Sequence, residues 1–248
     1  MGDVIEVTGM VLVSSPIREY DKRIELLTRE RGRISAFVQG ARRPNSVLSA
    51  CTIPFTFGIY YLYEGRNSYN VQSAQIKTYF DKIAEDFDGL CYASYFAEMA
   101  QYFSRENVEA PQELLLLYMT CKAVTKGLVS LPLIRSIYEM RLMQIEGEGL
   151  ELFRCLKCGR EDADKMIYFS QGGFLCRECA SKIPGLQQEK PVKLSNDALY
   201  ALQFILTTPI EKLYSFRVSA EVEKELAAFM KQYLHKYLPY EFKTMAFL

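Results

Sequence analysis

The sequence predicts an α+β, multi-domain protein: a small N-terminal five-stranded β-barrel followed by an all-α helical domain that carries a four-cysteine insertion. Three observations lead there. The period of apolar residues changes from two to about 3.6 near residue 80. Four of the seven cysteines stand in two CxxC pairs, and a formal charge of zero hides opposite charges along the 248 residues. The boundaries expected from these shifts are 1–80 for the barrel, 81–150 for the first helical part, 151–193 for the insertion and 194–248 for the closing helices.

Residues 5–13, 23–28, 34–39, 55–63 and 69–77 are rich in β-branched and aromatic side chains and read as five strands. In the fourth, Phe55, Phe57, Ile59, Tyr61 and Tyr63 alternate with smaller residues and are expected to form its buried face. Glu30-Arg31-Gly32-Arg33 and Glu64-Gly65-Arg66-Asn67 look like hairpin turns. Five short strands are too few for an immunoglobulin-sized sandwich but suit a small barrel of the OB type, whose closure also removes sheet edges.

Beyond residue 80, Phe80, Ile83, Phe87, Leu90, Cys91, Ser94, Tyr95, Met99, Tyr102 and Phe103 make a helical stripe, with a break expected near Asp88-Gly89. Pro111 suits a first helical turn, and Gly127 an end to the face formed by Leu114, Leu117, Tyr118, Cys121, Val124 and Leu128. A further helix is expected over 133–145, stopping at Gly147. Ser195 and Ser219 are capping residues for the last two, the second carrying Val222, Leu226, Phe229, Met230, Tyr233 and Tyr237 on one side.

The insertion reads Cys155-Leu-Lys-Cys158, seventeen residues beginning with Gly159, then Cys176-Arg-Glu-Cys179. Two CxxC knuckles at this spacing point to one structural zinc ion held by Cys155, Cys158, Cys176 and Cys179, because each two-residue gap turns both thiolates of a knuckle toward one centre. Residues 166–169 and 174–175 around Gln171-Gly-Gly173 read as the hairpin of a zinc ribbon, with metal binding supplying its folding energy. A redox pair would need a βαβ setting that the region lacks, and four thiolates close the shell against catalysis. Cys91 and Cys121 read as packing residues, and Cys51 carries no signal of its own.

Charge divides unevenly: residues 1–80 hold ten basic and seven acidic side chains (+3), whereas residues 81–150 hold six and eleven (−5). Arg18, Lys22, Arg23, Arg29, Arg31, Arg33, Arg42 and Arg43 all fall in the barrel, and Tyr20, Phe37, Tyr61 and Tyr63 are interleaved with them. Arginine's planar fork fits phosphate, and OB-type surfaces that hold single strands combine such cations with aromatic platforms. These eight cations are the candidate DNA-binding residues, expected to converge if the barrel closes.

No phosphate-binding glycine loop and no nucleophile–base arrangement is present, and His235, the single histidine, stands apart from any partner. The expectation is a protein that is not an enzyme. No apolar run approaches the roughly 18 residues of a membrane span, and no basic-then-apolar leader opens the chain, so no membrane partner and a cytoplasmic location are expected.

Four stretches resemble one family, the bacterial recombination mediator RecO. They are Gly9-Met-Val-Leu-Val13 with Arg18-Glu-Tyr-Asp-Lys22, Leu27-Thr-Arg-Glu-Arg-Gly-Arg33 and Gln39-Gly-Ala-Arg-Arg-Pro44; Ala93-Ser-Tyr-Phe-Ala-Glu98; the four-cysteine insertion; and Phe242-Lys-Thr-Met-Ala-Phe-Leu248, where Thr244 stands in place of the usual serine. The resemblance implies an OB barrel that binds single- and double-stranded DNA, with Arg18, Lys22, Arg23, Arg42 and Arg43 holding phosphate. It further implies annealing of complementary strands, contact with the acidic tail of single-stranded-DNA-binding protein, and help from RecR in loading RecA onto coated DNA. A zinc-ribbon and OB protein acting on RNA or in transcription, or a scaffold whose ribbon binds protein, are the alternatives. Neutralising about five phosphates would give single-strand binding a log–log salt slope near −3.5.

Overall fold

The computed structural model describes residues 4–65, 68–161 and 164–248, and the chain forms two compact units, Met1–Leu128 with Phe242–Leu248, and Val129–Glu241. Arg66 and Asn67, part of the second expected hairpin turn, lie outside the described residues. No helix among the described residues is long and apolar enough to cross a membrane.

Five strands open the first unit: β1 (Val4–Pro16), β2 (Lys22–Thr28), β3 (Gly32–Val38), β4 (Phe57–Glu64) and β5 (Tyr69–Thr78). They close into a barrel in the order β1-β2-β3-β5-β4, every pairing antiparallel except the short parallel contact of β3 with β5. This is the five-stranded OB arrangement that the strand count predicts. The barrel is filled by Val7, Val11, Ile24, Leu26, Ile34, Ala36, Val38, Tyr60, Leu62 and Val71. One expectation is overturned here. The inward face of β4 is Gly58, Tyr60 and Leu62, whereas Phe57, Ile59 and Tyr61 are half-buried and Tyr63 is exposed. Phe57 turns outward because its ring meets Tyr118 of the following helices at 4.7 Å between centroids. Barrel-outside aromatics beneath a helix and barrel-inside aromatics have the same period of two, so alternation alone left the face undecided.

Helices α1 (Lys82–Glu85), α2 (Phe87–Phe103) and α3 (Pro111–Lys126) belong to the same unit; α2 and α3 pack on β1 and β2, where Met10, Leu12 and Leu27 are buried outside the barrel's own core. The break between α1 and α2 falls at Asp86, whose carboxylate accepts from Gly89 N at 3.1 Å as the cap of α2, rather than at Asp88-Gly89. Phe87 and Leu90 are exposed, and the buried face of α2 is instead Gly89, Ala93, Phe96, Ala97 and Ala100, with Tyr95 and Met99 beside it. Pro111 and Gly127 bound α3 as expected, the glycine at φ +62. The chain's last residues return to this unit. Phe242 packs edge-on against Tyr95 and Tyr102, and the Glu98 carboxylate accepts from Lys243 N and Thr244 N at 2.9 Å and from Thr244 Oγ1 at 2.5 Å. The threonine keeps the hydroxyl that a serine would offer.

The second unit packs α4 (Leu131–Ile145), α6 (Asn196–Thr207) and α7 (Ala220–Tyr237) together, with β6 (Met166–Tyr168), β7 (Gly173–Leu175) and the short α5 (Arg177–Ala180) between α4 and α6 in sequence. The helix expected from residue 133 begins at Leu131, with Pro132 in its first turn. Ser195 and Ser219 cap α6 and α7 by accepting from Ala198 N and Val222 N, and the expected stripe of α7 is buried as far as Tyr233. Arg141 of α4 donates to the carbonyls of Ile205 and Leu206, satisfying acceptors that the end of α6 leaves open.

Removing the Glu98 carboxylate tests the return of the tail. Glu98→Ala is expected to speed amide exchange at Lys243 and Thr244, since hydrogen bonds to a charged group contribute about 1.5–3 kcal/mol. Exchange measured by mass spectrometry on the peptide spanning 242–248 reads this directly, and unchanged protection there would remove Glu98 as its anchor.

Candidate functional site

Two constellations carry chemistry, one in each unit. In the second unit the backbone builds two knuckles. Gly159 takes φ +72 and donates from its N–H to Cys155 O at 2.8 Å, turning the chain behind the first CxxC. The second CxxC opens α5, where Cys176 is the N-cap. Between the knuckles β6 and β7 form the expected hairpin, with Phe169–Gln171 as a 3-10 turn and Gly172 at φ +76. The Sγ atoms of Cys155, Cys158, Cys176 and Cys179 all lie within 4.8 Å of one another, with Cys158 Sγ and Cys176 Sγ at 3.8 Å. No pair is joined as a disulfide. The cluster can hold one metal ion, since four thiols converging on one centre is a donor set for a soft or borderline cation.

The thiols differ in their readiness to ionise. Burial raises the Cys155 pKa, but the N–H groups of Cys158, Cys176 and Lys157 and the Cys158 side chain outweigh it, bringing the value down to about 6. Cys179 is pushed up to about 12, chiefly by its hydrogen bond with Cys176, then by desolvation and by the Cys158 and Cys155 thiols. Neighbouring thiolates repel, so one ionises early and another late until a cation joins them. Arg160 is held above its usual value first by Glu178 and then by Cys158 and Cys176.

The ribbon has more packing than its length suggests. Met166, Tyr168, Phe174, Leu175, Ala180 and Leu186 form a small buried cluster with Cys155 and Cys176. Phe169 lies 5.4 Å from Phe229 and 5.7 Å from Tyr233 of α7, and Tyr237 Oη donates to Phe169 O at 2.5 Å. Metal binding is expected to supply the ribbon's folding energy, but packing contributes as well: the hairpin's inward face is apolar, and its turn rests on α7.

In the first unit, the structure brings some of the eight cations together and separates others. Arg18 and Tyr20 stand in the loop joining β1 to β2, here L12. Arg42 and Arg43 stand in the long connection from β3 to β4, here L34. The two loops are tied: Arg42 N donates to Tyr20 O at 2.9 Å, Arg42 Nη1 to Arg18 O at 3.2 Å, and Gly40 N to Asp21 Oδ1 at 2.8 Å. The Arg43 guanidinium lies 5.6 Å from the Tyr20 ring centroid. Lys22 is half-buried and donates from Nζ to Thr52 Oγ1 at 3.0 Å, a hydrogen bond to the barrel's own connection. Arg23, next along the outer face of β2, bonds Ser35 Oγ at 2.7 Å and pairs with Glu25.

Arg29, Arg31 and Arg33 lie at the opposite end of the β2–β3 ribbon. The register sets Lys22 beside Val38 and Thr28 beside Gly32, so six residues, about 20 Å at ~3.3 Å each, separate the groups. Arg29 pairs with Glu30 at 3.0 Å, Arg31 with Glu64 at 3.8 Å, and Arg33 is exposed. The eight cations therefore mark two ends of the β2–β3 ribbon rather than converging. Sequence reading missed the role of Asp21, whose carboxylate fixes L34; its place in the quoted Glu19-Tyr-Asp21 element was the one signal available.

Cys51 and Cys121 are buried, with burial pushing their thiols up to about 11 and about 12; the Cys51 thiol donates to Leu48 O. His235 is exposed on α7.

Comparison with known proteins accords with this geometry. The family described as recombination protein O N terminal matches residues 1–80, and recombination protein O C terminal matches residues 84–246. The chain is similar to the DNA repair protein RecO of Acetivibrio thermocellus, 29% identical across 98% of this chain and 96% of that relative. It is likewise similar to the DNA repair protein RecO of Desulforamulus reducens, at 28% across 99% and 94%. The same name in Thermoanaerobacter sp. matches at 28% across 99% and 97%. With its barrel and its helical remainder both matched, this chain belongs to the recombination protein O, or RecO, family.

Proposed function

We propose that this chain is a DNA repair and recombination mediator that works without catalytic turnover. It binds single- and double-stranded DNA through the barrel, anneals complementary strands, and with RecR helps load RecA onto DNA coated by single-stranded-DNA-binding protein. The observation that carries this reading is the tied L12–L34 cation cluster on an OB-ordered barrel. Arginine–phosphate contacts hold backbone without using base edges, which leaves those edges free to pair with a second strand. Arg18, Arg23, Arg42 and Arg43 are the principal phosphate contacts, Lys22 being engaged with Thr52. Arg29, Arg31 and Arg33 extend the track to the far end of the β2–β3 ribbon. The acidic tail of single-stranded-DNA-binding protein docks on the helical part, and the protein works in the cytoplasm.

Zinc is the metal that suits the four thiols. A tetrahedral shell with Zn–S bonds near 2.3 Å has S–S edges of about 3.8 Å, and the sulfur atoms stand at that separation or within an ångström of it. Cys155, Cys158, Cys176 and Cys179 would hold the ion, which supplies a cross-link between the knuckles rather than chemistry.

Three measurements test these assignments. For a strand short enough to meet only the four principal phosphate contacts, the log–log salt slope is expected near −2.8, and Arg42→Ala with Arg43→Ala is expected to bring it to about −1.4 while weakening all sequences alike. The decisive assay is annealing of complementary strands coated with single-stranded-DNA-binding protein: a protein that anneals none, or whose affinity ignores salt, is not the mediator described. For the metal, native mass spectrometry is expected to find one zinc per chain, lost on chelation together with exchange protection across 155–180. A chain that never carries zinc yet keeps those amides protected would refute the four-thiolate assignment.

A further inference from the structure

We infer that Tyr20 is the base-stacking residue of the barrel and that Arg43, lying against its ring, joins L12 and L34 into one clamp for unpaired nucleotides. The inference rests on the DNA-binding reading above and names which side chain gives that site its preference for single strands.

Among the described residues, Tyr20 is the one of the four interleaved aromatics that is exposed and has a guanidinium over its ring. Phe37 and Tyr61 are half-buried. Tyr63 is exposed, but its register partners on β1 and β5 are Val4 and Asn70. Tyr20 is 42% exposed in a loop, and its backbone carbonyl, the Arg18 carbonyl and the Asp21 carboxylate are each bonded to the Gly40–Arg42 segment. A loop backbone held by three such ties leaves only the ring's own side-chain torsions to be fixed when a ligand stacks on it, and that preorganisation favours binding.

The contact with Arg43 has a second consequence. The guanidinium lies over the ring, so a base would stack on the ring's other face, with the Arg43 charge near enough to draw in that nucleotide's phosphate. Stacking on an aromatic side chain requires a base freed from its neighbours and is tolerant of sequence, because every base offers a π-face. In a duplex the bases are already stacked and paired, so the ring has no partner and only phosphate contacts remain. Tyr20 thereby separates single from double strands, whereas the arginines do not.

The test compares full-length protein on an oligothymidylate and on an abasic oligodeoxyribose phosphate of equal length, which keeps the phosphates and lacks the bases. The native chain is expected to bind the oligothymidylate about tenfold more tightly than the abasic strand. Tyr20→Ala is expected to abolish that preference while leaving abasic and duplex affinities within about twofold, and Tyr20→Phe to retain it. Since the chain contains no tryptophan, Tyr20→Trp provides a single indole whose emission is expected to be quenched by oligothymidylate and not by the abasic strand. Native protein that binds both strands equally keeps the phosphate reading and overturns the Tyr20 proposal. So does Tyr20→Ala weakening both strands alike or neither, or an indole that ignores the bases. Native protein that binds neither strand removes the DNA-binding reading and this inference with it.

Discussion

Strand β1 pairs along both of its edges, and the barrel exists because it can. Its first half pairs with β4, from Val4 beside Tyr63 to Met10 beside Phe57, and its second half with β2, from Gly9 beside Thr28 to Pro16 beside Lys22. At Gly9 and Met10 both neighbours are present at once, and the register shift between Val11 and Val13 follows immediately. A strand passed from one partner to the other within two residues must coil tightly. Glycine makes this possible: a Cβ at Gly9 would stand 2.8 Å from Leu27 O, and one at Gly58, its β4 partner, 2.4 Å from Gln75 O. From that crossing β1 and β2 run on, still paired, to Pro16 and Lys22 at L12, so the position of Arg18 and Tyr20 follows from the closure as well as from the loop's own ties.

The loop L34 depends on the same end of the barrel. The chain leaves β3 at Val38 beside Lys22, so Gly40 arrives within reach of Asp21, and the carboxylate fixes it there. A carboxylate among four nearby cations is a poor phosphate ligand, and its value lies elsewhere: it spends one negative charge on holding two arginines in place. Lys22 serves a comparable internal purpose through Thr52. Charge counting along a sequence assigns every cation to the surface field; the hydrogen bonds divide them into those that build the site and those left to meet a ligand.

That division explains what was legible in advance. The five strands, their OB-type closure, the caps at Ser195 and Ser219 and the four-thiol cluster follow from period, capping chemistry and spacing, each of which is local. The inward face of β4 was not local, because Phe57 faces Tyr118 more than fifty residues away and Tyr60 takes the interior. The same holds for Phe87 and Leu90, apolar at helical spacing yet exposed, since small residues, Gly89, Ala93 and Ala97, let α2 approach its neighbours closely. Convergence of the arginines failed for a geometric reason: residues near in sequence across a tight hairpin lie at one end of it, and those beyond its strands lie at the other.

The ribbon shows how packing and ligation share one task. Cys155 and Cys176 are buried within the hairpin's apolar cluster, while Cys158 is exposed and Cys179 half-exposed. Packing therefore positions one thiol from each knuckle; of the two that complete the set, Cys179 packs against the edge of the apolar cluster and Cys158 is exposed. Cys158 depends on the backbone turn at Gly159, and Cys179 on the opening of α5 together with its contact with the cluster. A cation shared by all four would add order mainly where packing is weakest. The apolar hairpin, resting on α7 through Phe169, thus sets where the centre forms, and ligation sets how firmly its outer half is closed.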